Sequence, residues 1–573
     1  MAVRRSIFIF LLAGWLLGAA FVVYSQQKGV SSITAGEMRL HLEVIATDET
    51  QGRNTPSTAV NIVSRYLAAM VGSYGFKPIM PNGSFLQDIP LEVTGVSESK
   101  SRLRVFGAAG EEVFYCPESF GGTFRGSGSW SGDVVFVGYG LSAPEKGWDD
   151  YGDLDLAGKV VIMLEGQLPD GNALRSDRAI LGTRTSAPRA KGAALVLTVV
   201  SPDREKDMLS HGAGFQLTPR TTMLSTYPTQ NQARVSATPP RPPSQQPPLS
   251  ATAPAAMPGR GASAGAPNAQ QAAPRPAPPP GAAEIRHQVA AAILGIGESD
   301  LEAMFAAIAR GQQVPRKAVN KRVELSVITE QHRDSSPNVL AVLEGSDPAL
   351  KNEYVVITAH HDHLGMRNGK PLNGADDDGS GTVAMLEIAQ ALVLERPKRS
   401  VILAWVTGEE KGLFGSHHFV NNCPVPLEKI SANLNLDMIS RNDPSGLFLI
   451  ASNNLSSELD GAIRAVNDKS SKLQFDYVYN NRAHPDRFYY RSDHYPFLRM
   501  GIPAVWLFCG TTPDYHTAND TIGRMDFAKM EKVTRLTYLV TLEIGNKPGL
   551  LKLDVNPEVT ARGKQNTSVD SIR

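Results

Sequence analysis

The chain is short of cysteine and has no net charge, and each shortage narrows the function. Only Cys116, Cys423 and Cys509 occur in 573 residues. They lack C-x-x-C spacing, which argues against a structural zinc knuckle. An odd number leaves at least one thiol outside any intramolecular disulfide, with Cys423 and Cys509 a candidate pair. Lysine plus arginine and aspartate plus glutamate both number 57, so the formal charge is zero. Such a balance gives no whole-chain case for binding nucleic acid or an anionic membrane surface. An apolar run from Ile7 to Val23 follows Arg4 and Arg5. Val23 and Ser25 then fit the small positions before a signal-peptide cleavage after Ser25, so residues 1–25 are expected to be a signal peptide. An uncleaved membrane anchor is the alternative, and no cysteine follows the run to carry a lipid. Either way the body of the protein is expected to be exported, to the periplasm or outside the cell.

At this length more than one domain is expected. The composition, 42% hydrophobic and 20% charged, is globular. Helical periodicity in 60–74 places Ile62, Val63, Tyr66, Leu67, Met70 and Val71 on one face. From about residue 93 to 201 the text changes to short strands with glycine-rich turns, including Val134–Val137, Val160–Leu164 and Ala194–Leu197, which reads as a small β-rich module. Between Pro239 and Pro280 prolines mix with alanine, glutamine, serine and glycine, with three arginines and no acid. That stretch cannot bury enough apolar surface to offset its ordering entropy and is expected to be disordered. A helical piece resumes at about 288–308. From Asn338 strands alternate with helices: Val339–Leu343, Tyr354–Thr358, Val401–Thr407, Ala432–Leu436, Leu447–Ile450 and Ala504–Phe508, with helices at about 382–395 and 527–544. This predicts an α/β sandwich around a largely parallel sheet, whose ligands bind at the carboxyl ends of the strands.

Metal-type side chains occur at those ends. His360 and Asp362 follow the Tyr354–Thr358 strand in T-A-H-H-D-H. Imidazole is a common zinc ligand, and its second nitrogen needs a partner that Asp362 is spaced to supply. His361 and His363 compete for the same role. Three consecutive aspartates, Asp376, Asp377 and Asp378, sit in a glycine-rich loop and would repel one another unless solvated or neutralised by a cation. Glu409 and Glu410 follow the next strand. Adjacent side chains at a strand end point differently, so one can bind a metal while the other serves as a general base. Asp437 ends another strand. His516 lies beyond Ala504–Phe508, with Tyr515 beside it as a possible donor to an oxyanion. Each element alone has a bland reading: a solvated loop, a helix cap, a polar face. Together they supply two histidines, three ligand carboxylates and one free carboxylate. That is what two divalent ions about 3.5–4 Å apart need to activate one water and polarise a carbonyl.

The ordered motifs T-A-H-H-D-H-L-G, G-A-D-D-D-G-S-G, T-G-E-E-K-G-L-F-G-S, N-L-N-L-D-M-I-S and Y-H-T-A-N-D-T resemble the co-catalytic di-zinc aminopeptidase family, which includes glutamate carboxypeptidases, glutaminyl cyclases and the transferrin receptor. V-F-V-G-Y-G-L-S-A-P and D-L-A-G-K-V-V resemble a protease-associated domain inserted within the peptidase. The resemblance implies a three-layer α/β/α zinc-exopeptidase sandwich with a mixed, largely parallel sheet. It implies a peptidase part in 26–92, an inserted domain in 93–322 with the Pro/Ala-rich stretch at about 228–284, the catalytic domain in 323–548 and a tail in 549–573. It further implies two Zn2+ ions, one held by His360 and Asp437 and the other by Glu410 and His516, with Asp377 bridging. Glu409 is then the general base, Asp362 the partner of His360, and Tyr515 the oxyanion donor. R-S-D-H-Y-P-F (491–497) resembles a segment bordering the substrate. Peptides outside the cytoplasm are the implied substrates, and the oligomeric state is not legible. A glutamate-carboxypeptidase type of enzyme is expected to carry an arginine cluster, which is not evident here. Glutaminyl cyclases are typically single-zinc, and receptor-like members tend to lose ligands, whereas this chain retains all six.

Overall fold

The computed structural model describes residues 28–224 and 281–570, apart from Thr123, Arg125, Ala173, Ser176, Thr185, 211–213, Gln216, 218–219, Asn368 and Thr567. The expected signal peptide and nearly all of the Pro/Ala-rich stretch lie outside the described residues.

A ten-stranded mixed sheet organises the C-terminal half. Its order is Arg220–Met223, Leu86–Val96, Thr329–Leu343, Ser400–Val406, Tyr354–His360, Ile430–Leu436, Ala504–Phe508, Gly446–Ile450 and Gln474–Asp476, with Lys77–Pro78 pairing on Thr329–Leu343. The four central strands, from Ser400–Val406 to Ala504–Phe508, run parallel. They are buried on both faces and read as continuous apolar runs for that reason. Alternation divides their side chains between two cores. Val355, Ile357, Ala359, Leu403, Trp405 and Leu507 pack with helices Ala35–Ile45, Thr58–Ser73, Gly381–Leu394 and Phe527–Asn546 on one face. Val356, Ile402, Ala404, Val406, Trp506 and Phe508 pack with Phe414–Asn421 and His494–Arg499 on the other. The result is an α/β/α sandwich. Three of its helices start on side-chain caps: Thr34, Ser57 and Asp526 each accept a hydrogen bond from a backbone N–H in the first turn.

A second sheet has eight strands and its own core of Leu103, Phe136, Ile162, Leu197, Ile285 and Leu325 among others. Its order is Gly110–Tyr115, Arg102–Gly107, Lys317–Val327, Gly128–Phe136, Val160–Leu164, Leu195–Val199, Gly281–Ile285 and Phe120–Gly121. The two sheets do not separate where the sequence suggested. Leu86–Val96 runs across residue 93 and stays in the first sheet, where Arg220–Met223 also pairs with it. Residues 322 and 323 fall inside Lys317–Val327, a strand of the second sheet.

Other elements differ from the sequence reading in detail. The buried stripe of Thr58–Ser73 is Val60, Val63, Ser64, Leu67 and Val71, while Ile62 is 60% exposed. The piece at 288–308 is two helices, His287–Leu294 and Glu298–Ala309, parted at Gly295 with φ 65°. The three cysteines are free thiols, so the candidate Cys423–Cys509 disulfide is absent. Among the described residues no helix is long and apolar enough to cross a membrane.

Candidate metal centre

The carboxyl ends of the four parallel strands lie side by side, and each delivers part of the site. His360 is the last residue of its strand, so the strand runs two residues beyond the predicted Thr358. Glu409 and Glu410 begin the turn after Val406, and Asp437 directly follows Leu436. His516 lies in the loop after Phe508.

Asp377 comes from the 375–380 turn that leads into helix Gly381–Leu394. Gly374 enters that turn at φ 53°, and a Cβ on it would lie 2.2 Å from Asp377 O and 2.6 Å from the His363 ring. Only glycine admits that approach. The turn gives its three aspartates separate directions. Asp378 accepts backbone N–H groups from His360 at 3.1 Å, Gly381 at 2.9 Å and Met438 at 3.3 Å. Asp376 accepts from Ser440 N at 3.0 Å. Asp377 instead faces histidines, with Oδ1 3.2 Å from His360 Nε2 and Oδ2 3.1 Å from His516 Nε2. Asp520 accepts from the Asp377 N–H at 3.1 Å and holds the turn in place.

Two groups of convergent ligand atoms result, and Asp377 belongs to both. In one, His360, Asp377 and Asp437 offer atoms within 4.8 Å of one another; in the other, His363, Asp377 and Glu410 do. His516 adjoins the second group, its Nε2 3.3 Å from Glu410 Oε1. His363 Nδ1 lies 2.9 Å from the same oxygen. Its neighbour His361 meets Ser64 Oγ at 2.8 Å instead, and burial first, then the nearby Arg53 cation, lowers its pKa to about 3.

Several of the buried atoms facing the two groups lack a hydrogen-bond partner: Asp377 Oδ2, Glu410 Oε1, His516 Nε2 and both ring nitrogens of His363. They are close together but aim past one another. Orphaned polar atoms are costly in a protein interior unless something else satisfies them. The donor set of imidazole and carboxylate suits zinc, so the residues fit a pair of such ions.

The electrostatics agree. Burial raises the Asp377 and Glu410 carboxyls, yet neighbouring histidines outweigh it. Asp377 ends well below the ordinary aspartate range and Glu410 at about 2. Burial likewise disfavours the His360 and His516 cations, but Glu409, Asp377 and Asp437 hold His360 well above its ordinary value, while Asp377 and Glu410 raise His516 to about 10. The acids outnumber the available cations, an excess that divalent ions would neutralise.

The remaining predicted residues surround this core. Glu409 lines a cleft with His360, Asp377, Asp437 and Tyr515. Burial pushes its carboxyl well above the ordinary range, opposed by His360 and reinforced by Glu410 and Asp493. Asp362 does not meet His360 as the sequence suggested. His360 Nδ1 contacts the Asp362 backbone carbonyl at 3.1 Å, while the carboxylate Oδ1 is 3.7 Å away and accepts from Glu409 N at 3.2 Å. The i, i+2 spacing brought a main-chain acceptor nearer than the side chain. Tyr515 stacks on His516 with ring centroids 3.7 Å apart, and its oxygen accepts from Arg491 at 3.0 Å.

Sequence reasoning did not find the support behind Asp437. Ser492 Oγ donates to Asp437 Oδ2 at 2.5 Å and itself accepts from Asn435 at 2.7 Å. Asn435 accepts from Thr358, which accepts from Asn433. The signal was present: N-L-N-L puts two amides on one face of a buried strand, where each needs a partner.

Residues 338–541 match Peptidase family M28. A probable leucine aminopeptidase 2 of Arthroderma benhamiae is 26% identical over 272 residues, 41% of this chain and 52% of that protein. A probable leucine aminopeptidase 2 of Aspergillus oryzae is 32% identical over 235 residues, 40% of this chain and 43% of that protein. The chain thus spans about half the length of the curated relatives it matches. BSAP, a zinc aminopeptidase from Bacillus subtilis, superposes with a TM-score of 0.49 and 15% identity, over 92% of this chain and 99% of that one. Residues 338–541, which contain both convergent ligand groups, are thus the part of the chain that is similar to peptidase family M28, and the relatives matched there are leucine aminopeptidases.

Proposed function

We propose that this chain is an exported aminopeptidase that removes N-terminal residues from peptides with two zinc ions. The observation that carries this reading is the sharing of Asp377 between two convergent ligand groups at the ends of parallel strands. His360 and Asp437 would hold one ion, Glu410 and His516 the other, with Asp377 between them. The ions would supply Lewis-acid polarisation of the scissile carbonyl and acidify the attacking water.

The side chains do the rest. Glu409 faces the same cleft without being drawn into either group. Its carboxylate takes the proton from the attacking water and returns it to the leaving amine. Burial raises its proton affinity above that of an ordinary glutamate, which suits that exchange. The Tyr515 hydroxyl donates to the developing oxyanion while Arg491, donating to the same oxygen, fixes its position. Met438, Phe488 and Trp506 line the cleft beside these groups. An apolar wall of that kind accepts an apolar N-terminal side chain, in keeping with the leucine aminopeptidase relatives.

Among the described residues Arg491 is the single arginine that lines the cleft, which is too little cationic surface for a carboxypeptidase selecting a terminal carboxylate. Retention of all six sequence-predicted residues disfavours a receptor-like role. Export is supported by the apolar run after Arg4 and Arg5. The test of the mechanism is Glu409→Gln. The variant should bind zinc as the parent does and lose about a hundredfold or more in kcat. Parental turnover would refute the assigned role.

A further inference from the structure

Arg53 lies more than 300 residues from the motifs in sequence and is fully buried beneath them. Its side chain makes four hydrogen bonds, all to backbone carbonyls. Nε donates to His361 O at 2.9 Å, Nη1 to Ile45 O at 2.8 Å and Asn373 O at 2.6 Å, and Nη2 to Gly374 O at 2.9 Å. His361 follows His360, and Gly374 opens the turn that carries Asp377. One planar fork therefore ties both ligand-bearing loops to the N-terminal helix Ala35–Ile45.

The main chain repeats the connection. Arg53 O accepts from His363 N at 3.1 Å, and Asn54 forms a parallel bridge with His363. Asn373 donates to Asp48 at 2.7 Å. The 48–54 segment approaches so closely that a Cβ on Gly52 would lie 2.4 Å from both Gly365 O and Leu372 O. Arg53 holds a left-handed φ of 47° to make these contacts, a conformation costing about 1 kcal/mol or more for a residue with a side chain. Asp362, Asp520, Asp377 and Asp378 are its electrostatic neighbours.

We propose that Arg53 is the positioning residue of the metal centre, fixing the His360 loop and the Asp377 loop in their mutual geometry before any ion binds. The inference rests on the two-zinc reading above. Geometry and charge can be separated, because they act on zinc in opposite directions. A cation beneath the site repels an incoming ion, so loss of charge alone would tighten zinc. Loss of the fork frees the loops and weakens it. Lysine keeps the charge but cannot span four carbonyls in two directions.

The experiment is zinc affinity by competition with a chromophoric chelator, on the full chain without peptide, with thermal unfolding measured alongside. The parent should bind two zinc ions. Arg53→Lys should weaken at least one site by about tenfold or more, the scale seen for residues that orient metal ligands, at temperatures where the variant is folded. Asp48→Ala, at an exposed residue, loosens the same loop without touching the guanidinium and should weaken zinc by about threefold. Parental affinity in Asp48→Ala and in any folded Arg53→Lys would overturn the proposal, as would tighter zinc in Arg53→Met. A parent that binds no zinc would overturn the two-zinc reading itself.

Discussion

Asp376, Asp377 and Asp378 have the same chemistry, and their separate fates are decided by backbone direction. The G-A-D-D-D-G-S-G text announces an acidic turn but contains nothing that selects the middle carboxylate. Selection comes from three main-chain donors converging on Asp378 and from Asp520 gripping the turn. Asp378 is therefore a structural acceptor. Asp378→Ala leaves three N–H groups without their acceptor and should cost about 3 kcal/mol, measured by denaturant unfolding. The histidines teach the same lesson. Sequence left His361 and His363 open beside His360; burial against Ser64 removes His361, whereas His363 faces Glu410. Arg53 gave no sequence signal at all, because its partners are carbonyls and any residue type supplies those.

Among elements, strands and helices of the C-terminal half were readable because their apolar periods are strong. Phe527–Asn546 begins where Asp526 caps it, and Ala504–Phe508 matches the expected limits. The buried stripe of Thr58–Ser73 takes in Val60 and Ser64 and leaves out Ile62. A 3.6-residue period fits both Ile62 and Val60, and the neighbouring strand Thr329–Leu343 and its core decide between them. Helix Ala35–Ile45 carries a pH-dependent tie to the sandwich. Glu387, fully buried on Gly381–Leu394, accepts from Thr34 N at 2.8 Å. Burial, reinforced by Glu37 and Glu531 against the Thr34 bond, raises its carboxyl from the ordinary 4.5 to about 8. A group that holds its proton more tightly when folded stabilises fully below the unfolded value, and this contribution is lost as pH rises toward 8. Glu387→Gln mimics the protonated form. Its melting temperature should equal the parent's near pH 5 and exceed it near pH 8 to 9; an unchanged difference across that range would contradict the tie.

At the scale of the molecule, the sequence conveyed two β-containing regions but not how the chain weaves between them. Arg220–Met223, expected within an inserted module, adds to the edge of the ten-stranded sheet. Strand pairing depends on partners more than a hundred residues away, as between Thr222 and Glu92, which local periodicity cannot report. The strands that carry the candidate residues were more legible than the topology, since their apolar runs are local, and candidate side chains at strand ends in a parallel sheet come together wherever the chain travels next. What the whole assembly should do is settled most directly by one comparison: hydrolysis of leucyl-p-nitroanilide and of its N-acetylated form, by metal-free protein and by protein given zinc. Cleavage of the free-amine substrate alone, and only with zinc, is the predicted result. Cleavage of the blocked substrate in preference, or undiminished activity without metal, would contradict it.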